Sequence, residues 1–553
     1  MRATATVASF LPLSFTLALL TPGAAAPQAG FSDQEVRAYT LNLPFPMPEV
    51  QLPKIPDHRV SITDFGALSD GHTMNTKPIN DAIRACAKQG GGTVVIPPGV
   101  WLTGPIQLDS NIELRVEAGA LVLFSGKFED YPMFARPRST SYRCTPLIYG
   151  VRLSNVAITG KGAFNGNGQH WRPTKKEKLT ERQWKELIGS DGVVSPDGKI
   201  WWPSREALNG DQYVKNLRQG KKRLTPEEFA GAREFLRPTM VELINCTSVL
   251  IDGPTFTNSP AWVLHPMECK DVVIRNTSVI NDWWGQNTDA ADIDACRNVV
   301  FYRNVLDAGD DAICMKSGTR GDGSRAESAL ENVVIADCIV YHGHGGFVIG
   351  SGTDGGVRNI SVKNCTFMGT DIGLRFKTAR DRGGVVEKIF VDGIRMKDIG
   401  NEAILFDMSY TGNNDYDSTR VSIPHFRDFD IKNIVCDGAT DAVRIRGLAD
   451  APIQRIALKN LSITSRRAVS LEDAESISLT DVWLDFKFGP VLSVKNCRDV
   501  QAERVTLASR AGVFVRASGA KTEAITALKK DAAQAKRELE LVSGTDSAAV
   551  IFK

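Results

Sequence analysis

Short apolar runs ending in an Asn, Asp or Gly turn recur along this chain, and their spacing limits the fold more than any other feature. They include Val-Leu-Ile-Asp-Gly (249–253), Val-Val-Ile-Arg-Asn (272–276), Val-Val-Phe-Tyr-Arg-Asn (299–304), Val-Val-Ile-Ala-Asp (333–337), Ile-Ser-Val-Lys-Asn (360–364) and Ile-Phe-Val-Asp-Gly (389–393). Ile-Ala-Leu-Lys-Asn (456–460) and Ile-Ser-Leu-Thr-Asp (477–481) continue the series. With Ile251, Ile274, Phe301, Ile335, Val362 and Val391 taken as equivalent, the steps are 23, 27, 34, 27 and 29 residues. A period in the twenties, with alternating apolar strands and no amphipathic helix between them, points to coils stacked into an all-β parallel β-helix. Leucine-rich repeats share the length but need a Leu-x-x-Leu-x-Leu ladder that is absent. A β-sandwich with irregular strands is the alternative.

A solenoid needs covered ends. Residues 78–87 carry Ile79, Ile83 and Cys86 or Ala87 at helical spacing, and Gly90-Gly91-Gly92 stops the pattern. This predicts a short helix over the N-terminal end, with the first coil beginning at Thr93. At the other end, Thr522 to Leu541 is rich in Ala, Lys and Glu, and reads as a loop or helix packed on the last coil. One segment, 169–236, interrupts the repeat. It holds Trp171, Trp184, Trp201 and Trp202, and Thr180 to Leu187 looks helical. Between Trp171 and Arg223 there are 13 Lys plus Arg against 7 Asp plus Glu. Two readings stand: a functional loop whose Trp faces stack on sugar rings and whose cations attract a polyanion, or a flap packing its own Trp residues.

The resulting division is a signal peptide (1–26), an N-terminal extension (27–58), an N-terminal cap with the first coils (59–168), the insertion (169–236), the main coils (237–515) and a C-terminal cap or tail (516–553). The signal peptide rests on Arg2, the apolar stretch Val7 to Leu20 and the small residues Gly23 to Ala26. It implies a secreted or periplasmic protein. No later stretch is apolar enough to span a membrane. The formal net charge of +2 gives no global field for nucleic acid. Of the ten cysteines, six sit next to the repeated β-branched runs, which argues for buried free thiols; no CxxC spacing suggests zinc.

Four polar clusters fall about one coil apart: Asn287-Thr288-Asp289 with Asp292 close behind, Gly309-Asp310-Asp311, Gly343-His344-Gly345, and Arg375-Phe376-Lys377. Asp289 to Asp310 is 21 residues, Asp310 to His344 is 34 and His344 to Arg375 is 31. Residues one coil apart stack about 4.8 Å from each other. Three carboxylates, a His and two cations should therefore form one patch. Such a patch suits glycosidic cleavage, in which one carboxylic acid protonates the leaving oxygen and another carboxylate activates water. Crowded carboxylates cannot all ionise freely, so one holds its proton. Arg375 and Lys377 flank an inward Phe376, face the same surface and could clamp a sugar carboxylate.

These four clusters together resemble the signature motifs of glycoside hydrolase family 28, the polygalacturonase family. Thr63-Asp64-Phe65-Gly66-Ala67, Asp70-Gly71 and Gly90-Gly91-Gly92-Thr93 also resemble the entry of pectinase-type β-helices. The likeness spans about residues 60 to 510. It implies a right-handed, single-stranded, pectin-lyase-like solenoid and an inverting hydrolase of α-1,4-galacturonosyl linkages that uses no metal or cofactor. By motif, it makes Asp310 the general acid and gives Asp289 and Asp311 the attacking water. His344 would keep Asp310 correctly protonated. Arg375 and Lys377 would bind the galacturonate beyond the cleaved bond, Asn287 would help position sugar, and Tyr410 matches a sugar-contacting Tyr. Ala290-Ala291 departs from the family, which has Gly before the next Asp. The expected partner is a pectic oligo- or polysaccharide, acted on by a monomer. Exo-acting members carry long insertions that wall off one end of the groove, and 169–236 resembles such a wall. The competing readings are a hydrolase of modified or rhamnose-containing pectin, a calcium-dependent pectate lyase on the same fold, and a non-catalytic glycan-binding β-helix.

Overall fold

The computed structural model describes residues 33–137, 139, 141–219, 224–318, 329–410, 422–542 and 544–553. The expected signal peptide lies outside them. Nearly all the strands belong to two parallel walls, one of 24 strands and one of 14. The six positions taken as equivalent in the sequence are direct partners in the longer wall. Ile251 pairs with Ile274, Ile274 with Phe301, Phe301 with Ile335, Ile335 with Val362 and Val362 with Val391. The chain is thus a parallel β-helix, each coil laying one rung on the last. In the early coils the longer wall runs as two ladders. They merge at strand Val385–Lys397, which pairs with both Val357–Lys363 and Thr366–Met368.

Alternation buries pairs of apolar side chains such as Val249 with Ile251 and Val272 with Ile274 on each rung, and the stacked rows form one continuous core. Phe124, Phe164 and Phe256 stack along it, and further on Phe376 and Phe406 lie tilted together with Phe429 edge-on to both. The turns use residues that tolerate left-handed backbone. Asn298, Asn332 and Asn359 have φ of 58°, 59° and 58°. Their side-chain amides donate down the stack, Asn359 to Asn332 at 3.0 Å and Asn332 to Asn298 at 3.1 Å. All ten cysteines are buried free thiols.

Helix Thr76–Lys88 buries Ile79, Ala82, Ile83 and Cys86 against the first strands. The segment 169–236 leaves the ladder as expected. It forms a small antiparallel sheet of Thr174–Lys175, Ile200–Trp202 and Val193–Val194, with helices Glu181–Ile188 and Arg205–Arg218. The first of these helices starts where Thr180 and Gln183 cap each other's backbone.

One expectation is corrected. The stretch Thr522 to Leu541 is not a loop or helix. Glu523–Ala527 and Ala535–Leu541 are strands paired in parallel with Arg498–Leu507 and Ala511–Ser518, around a four-residue helix, Lys529–Ala532. Burial of Ile525, Ala527 and Ala535 at rung positions overrides the helix propensity of Ala, Lys and Glu. Of the two readings of the insertion, most of its Trp residues follow the packed one: Trp171, Trp184 and Trp201 are buried, Trp171 edge-on to Phe128 and Tyr131, while Trp202 is half-buried beside Phe235.

The N-terminal extension has a defined seat. Val36, Tyr39, Val50 and Leu52 cover Ala157, Leu250, Val273, Val300 and Val334 on the outside of the longer wall. Tyr39 donates to Asp337 at 2.6 Å, and Glu35 takes bonds from Tyr302 at 3.1 Å and Arg275 at 3.4 Å. Among the described residues, no helix is long and apolar enough to cross a membrane.

Candidate active site

The 14-stranded wall carries the polar clusters. Its strands Ala291–Asp294, Ile313–Lys316, Phe347–Ile349 and Leu374–Lys377 are successive rungs. Asp289, the Asp310/Asp311 pair and His344 lie on the turns entering the first three, and Arg375 and Lys377 lie on the fourth. Main-chain bonds fix these turns to one another: Ala290 N–H to the Asp311 carbonyl at 3.1 Å, His344 N–H to the Asp310 carbonyl at 2.9 Å and Ala312 N–H to the Gly345 carbonyl at 2.9 Å. Gly309 is needed because a Cβ there would lie 2.2 Å from the Gly285 carbonyl. Ala290 and Ala291 cause no bulge: Ala291 pairs with Ile313 and Asp292 with Cys314 in register.

The expected patch is formed. One carboxylate oxygen from each of Asp289, Asp310 and Asp311 lies within 4.8 Å of the others. The Nδ1 of His344 is 3.2 Å from Asp310, and its Nε2 is 3.7 Å from Asp371. Arg375 and Lys377 reach Asp311 at 3.1 and 2.7 Å. The Tyr410 ring lies 5.5 Å from the Arg375 guanidinium and 5.0 Å from Lys377 Nζ. Asn287 adopts left-handed backbone, φ 58°, and its Nδ2 is 3.4 Å from Asp310. Asp289 is 3% exposed, and its Oδ1 has no hydrogen-bond partner among the described residues. A buried carboxylate oxygen left open in this way suits a water or a sugar hydroxyl.

Burial and charge separate the three acids. Asp289 is pushed well above the ordinary carboxylate range by burial, then by the charges of Asp292 and Asp310. Burial pushes Asp310 upward more than any other single cause, but the bond with His344 together with the charges of His344 and Lys377 makes the net shift down. Asp311 is buried too, yet Lys377 and Arg375 hold it far below its ordinary value. Burial and charge thus favour the protonated form of Asp289 and the ionised forms of Asp310 and, most strongly, Asp311. Three carboxylates this close could hold a cation, but side chains already supply positive charge: both Asp311 oxygens are occupied by Arg375 and Lys377, and Asp310 faces His344.

Two residues not singled out in the sequence belong to the site. Lys316 is 2.7 Å from Asp292 and 3.7 Å from Asp289, with the Trp262 ring 4.8 Å away. It was legible by the rule that paired Arg375 with Lys377, since it follows Cys314 by two on the same face. Arg237, the first residue after the insertion, donates to Asn287 Oδ1 at 2.7 Å and to the carbonyls of Gln286 and Pro260. No local motif announces it. The insertion also brings Lys178 over the ring of Trp283, at 5.3 Å, where both line a small hollow with His344 and Asp371.

Residues 232–478 match the family model described as glycosyl hydrolases family 28. The chain is 30% identical to a hyperthermoactive exopolygalacturonase from Thermotoga maritima, over 86% of this chain and 96% of that one, with a TM-score of 0.65. It is 26% identical to the exo-poly-alpha-D-galacturonosidase of Dickeya chrysanthemi, covering 79% of this chain and 73% of that protein. The exopolygalacturonase of Yersinia enterocolitica, at 23% identity and TM-score 0.60, shares the fold. A matched fold, a relative at this identity along nearly its whole length, and four motifs converging on one wall together establish that the chain belongs to glycoside hydrolase family 28.

Proposed function

We propose that this protein is an inverting, exo-acting hydrolase of the α-1,4-galacturonosyl linkages of pectin. The observation that carries the reading is the convergence of Asp289, Asp310, Asp311 and His344 beside Arg375 and Lys377. In this reading Asp289 first hands its proton to Asp310, which passes it to the leaving oxygen as the sugar–oxygen bond breaks. Asp289 and Asp311 hold the water that attacks the anomeric carbon, and the freed Asp289 carboxylate takes that water's proton, which restores the starting state. Arg375 and Lys377, each with N–H groups left after binding Asp311, take the carboxylate of the sugar beyond the cleaved bond. Tyr410 lies against that pair.

Exo action is supported by the insertion. Lys178 reaches the hollow beside His344, and Arg237 is tied to the turn that carries Asn287. A body of this size at one end of the groove leaves room for a terminal sugar rather than a through-running chain. The two relatives at 25% identity or more described above are named for exo cleavage.

The test is digestion of a defined galacturonate oligomer with products separated over time. Monomer appears first under this proposal; mixed short oligomers would point to internal cleavage. Asp310→Asn should stay folded and lose about a hundredfold or more of reducing-sugar release. Unchanged release would remove Asp310 from its role.

A further inference from the structure

The outer face that carries Arg375 continues for several rungs towards the C-terminus. Arg375 is aligned with Leu405, Leu405 with Arg444, Arg444 with Ser470, Ser470 with Ser493, and Ser493 with Arg516. Adjacent rungs lie about 4.8 Å apart, so Arg444 stands about 10 Å beyond Arg375 and Arg516 about 14 Å beyond that. The two serines between these arginines are too short to fill the wall. A cleft of about 390 Å³ opens above them. Phe488, 57% exposed, stands at its edge, and Arg446 lines it one side-chain step from Arg444.

The donors in this cleft are only partly engaged. Arg446 has no ion pair among the described residues. Arg444 spends one N–H on Glu402, at 3.4 Å. Arg516 holds Glu540 through Nε and Nη2, which leaves Nη1. Guanidinium groups with open N–H positions, hydroxyls on the floor and an exposed aromatic ring suit an acidic sugar better than a neutral or apolar ligand. The two carboxylates that also line the cleft are already paired, Asp441 with Arg467 and Glu472 with Lys495, and the register places the cleft on the wall that continues past Arg375.

We propose that this cleft is a remote subsite for a hexuronate unit of a long galacturonan chain, with Arg446 and Arg444 taking its carboxylate and Phe488 its ring face. The inference rests on the function proposed above. Its signature is chain-length dependence: a short oligomer ends before the cleft and a polymer reaches it.

The experiment compares wild type with Arg446→Ala and Phe488→Ala on galacturonate trimer and on polygalacturonate. Each variant should keep wild-type kcat/KM on the trimer and lose about tenfold on the polymer, mostly through KM. Equal losses on both substrates, or none on either, would overturn the subsite. Wild-type hydrolysis of the trimer separately controls the reading of activity. If wild type cleaves neither substrate, that reading fails, and binding of a long oligogalacturonate then judges the cleft. Weaker binding to Arg446→Ala than to wild type supports it, and equal affinity overturns it.

Discussion

Arg237 donates from Nη2 to the Oδ1 of Asn287 at 2.7 Å, while Asn287 turns its own amide towards Asp310 at 3.4 Å. The insertion and the carboxylates are joined by two side chains. The Arg237 guanidinium is buried, and burial lowers it only to about 10, so it keeps its charge at neutral pH. Arg237→Met leaves Asn287 and two carbonyls without their donor. We expect kcat to fall about tenfold or more, KM to move less, and Arg237→Lys to restore part of the loss. A variant with unchanged kcat would show that the Asn287 orientation does not matter to the reaction.

Asp311 is an anion because Lys377 and Arg375 overcome its burial. With its folded value far below the unfolded one, it contributes stability above about pH 4, lost as pH falls through the folded value. The same arithmetic governs catalysis if Asp311 must be ionised. Lys377→Met should raise the acid limb of the kcat/KM profile by about one pH unit or more, besides weakening substrate binding. An acid limb that stays in place would detach Asp311 from the attacking water.

Asp289 has the opposite sign. Burial and its acidic neighbours hold its proton above the pH at which an unfolded Asp gives it up. Stability falls as pH rises from about 4 towards the raised value. Asp289→Asn removes that conflict. The variant should melt about 2 °C higher near neutral pH while activity drops about a hundredfold or more. A lower melting temperature would mean that the carboxyl is structural.

The carboxylate oxygens lie within 4.8 Å, closer than the ~6.5–9.5 Å usual for inverting glycosidases. The proposed inversion therefore requires the attacking water to be held outside this close trio. Proton NMR of the first-formed product decides this: β-galacturonate supports inversion, α-galacturonate retention. In the same assay a chelator should leave the rate unchanged and no unsaturated uronide should accumulate. Either result reversed would favour lyase chemistry.

The ladder was legible because each coil repeats one instruction, an apolar alternation ending in a turn residue, so that Ile251, Ile274 and Phe301 could be aligned before any pairing was known. The convergence of the polar clusters was legible because the motifs share that period, which turns sequence spacing into stacking. Arg237 was not, since its partner Asn287 is 50 residues away and the contact depends on how the insertion folds back. The buried Trp residues of the insertion illustrate the same limit, because composition does not say which way a ring faces. The C-terminal misreading arose where weak rung residues, Ala527 and Ala535, carry a helix-forming composition.

The strap formed by Val36, Tyr39, Val50 and Leu52 has a consequence for the order of events during folding. Glu35 and Tyr39 meet Tyr302 and Asp337, partners 267 and 298 positions downstream. A nascent chain offers the strap only part of its seat, at Ala157 and Leu250, until those later rungs have been wound. The segment made early is therefore a clasp fastened late, and its closure registers that the middle of the cylinder is complete.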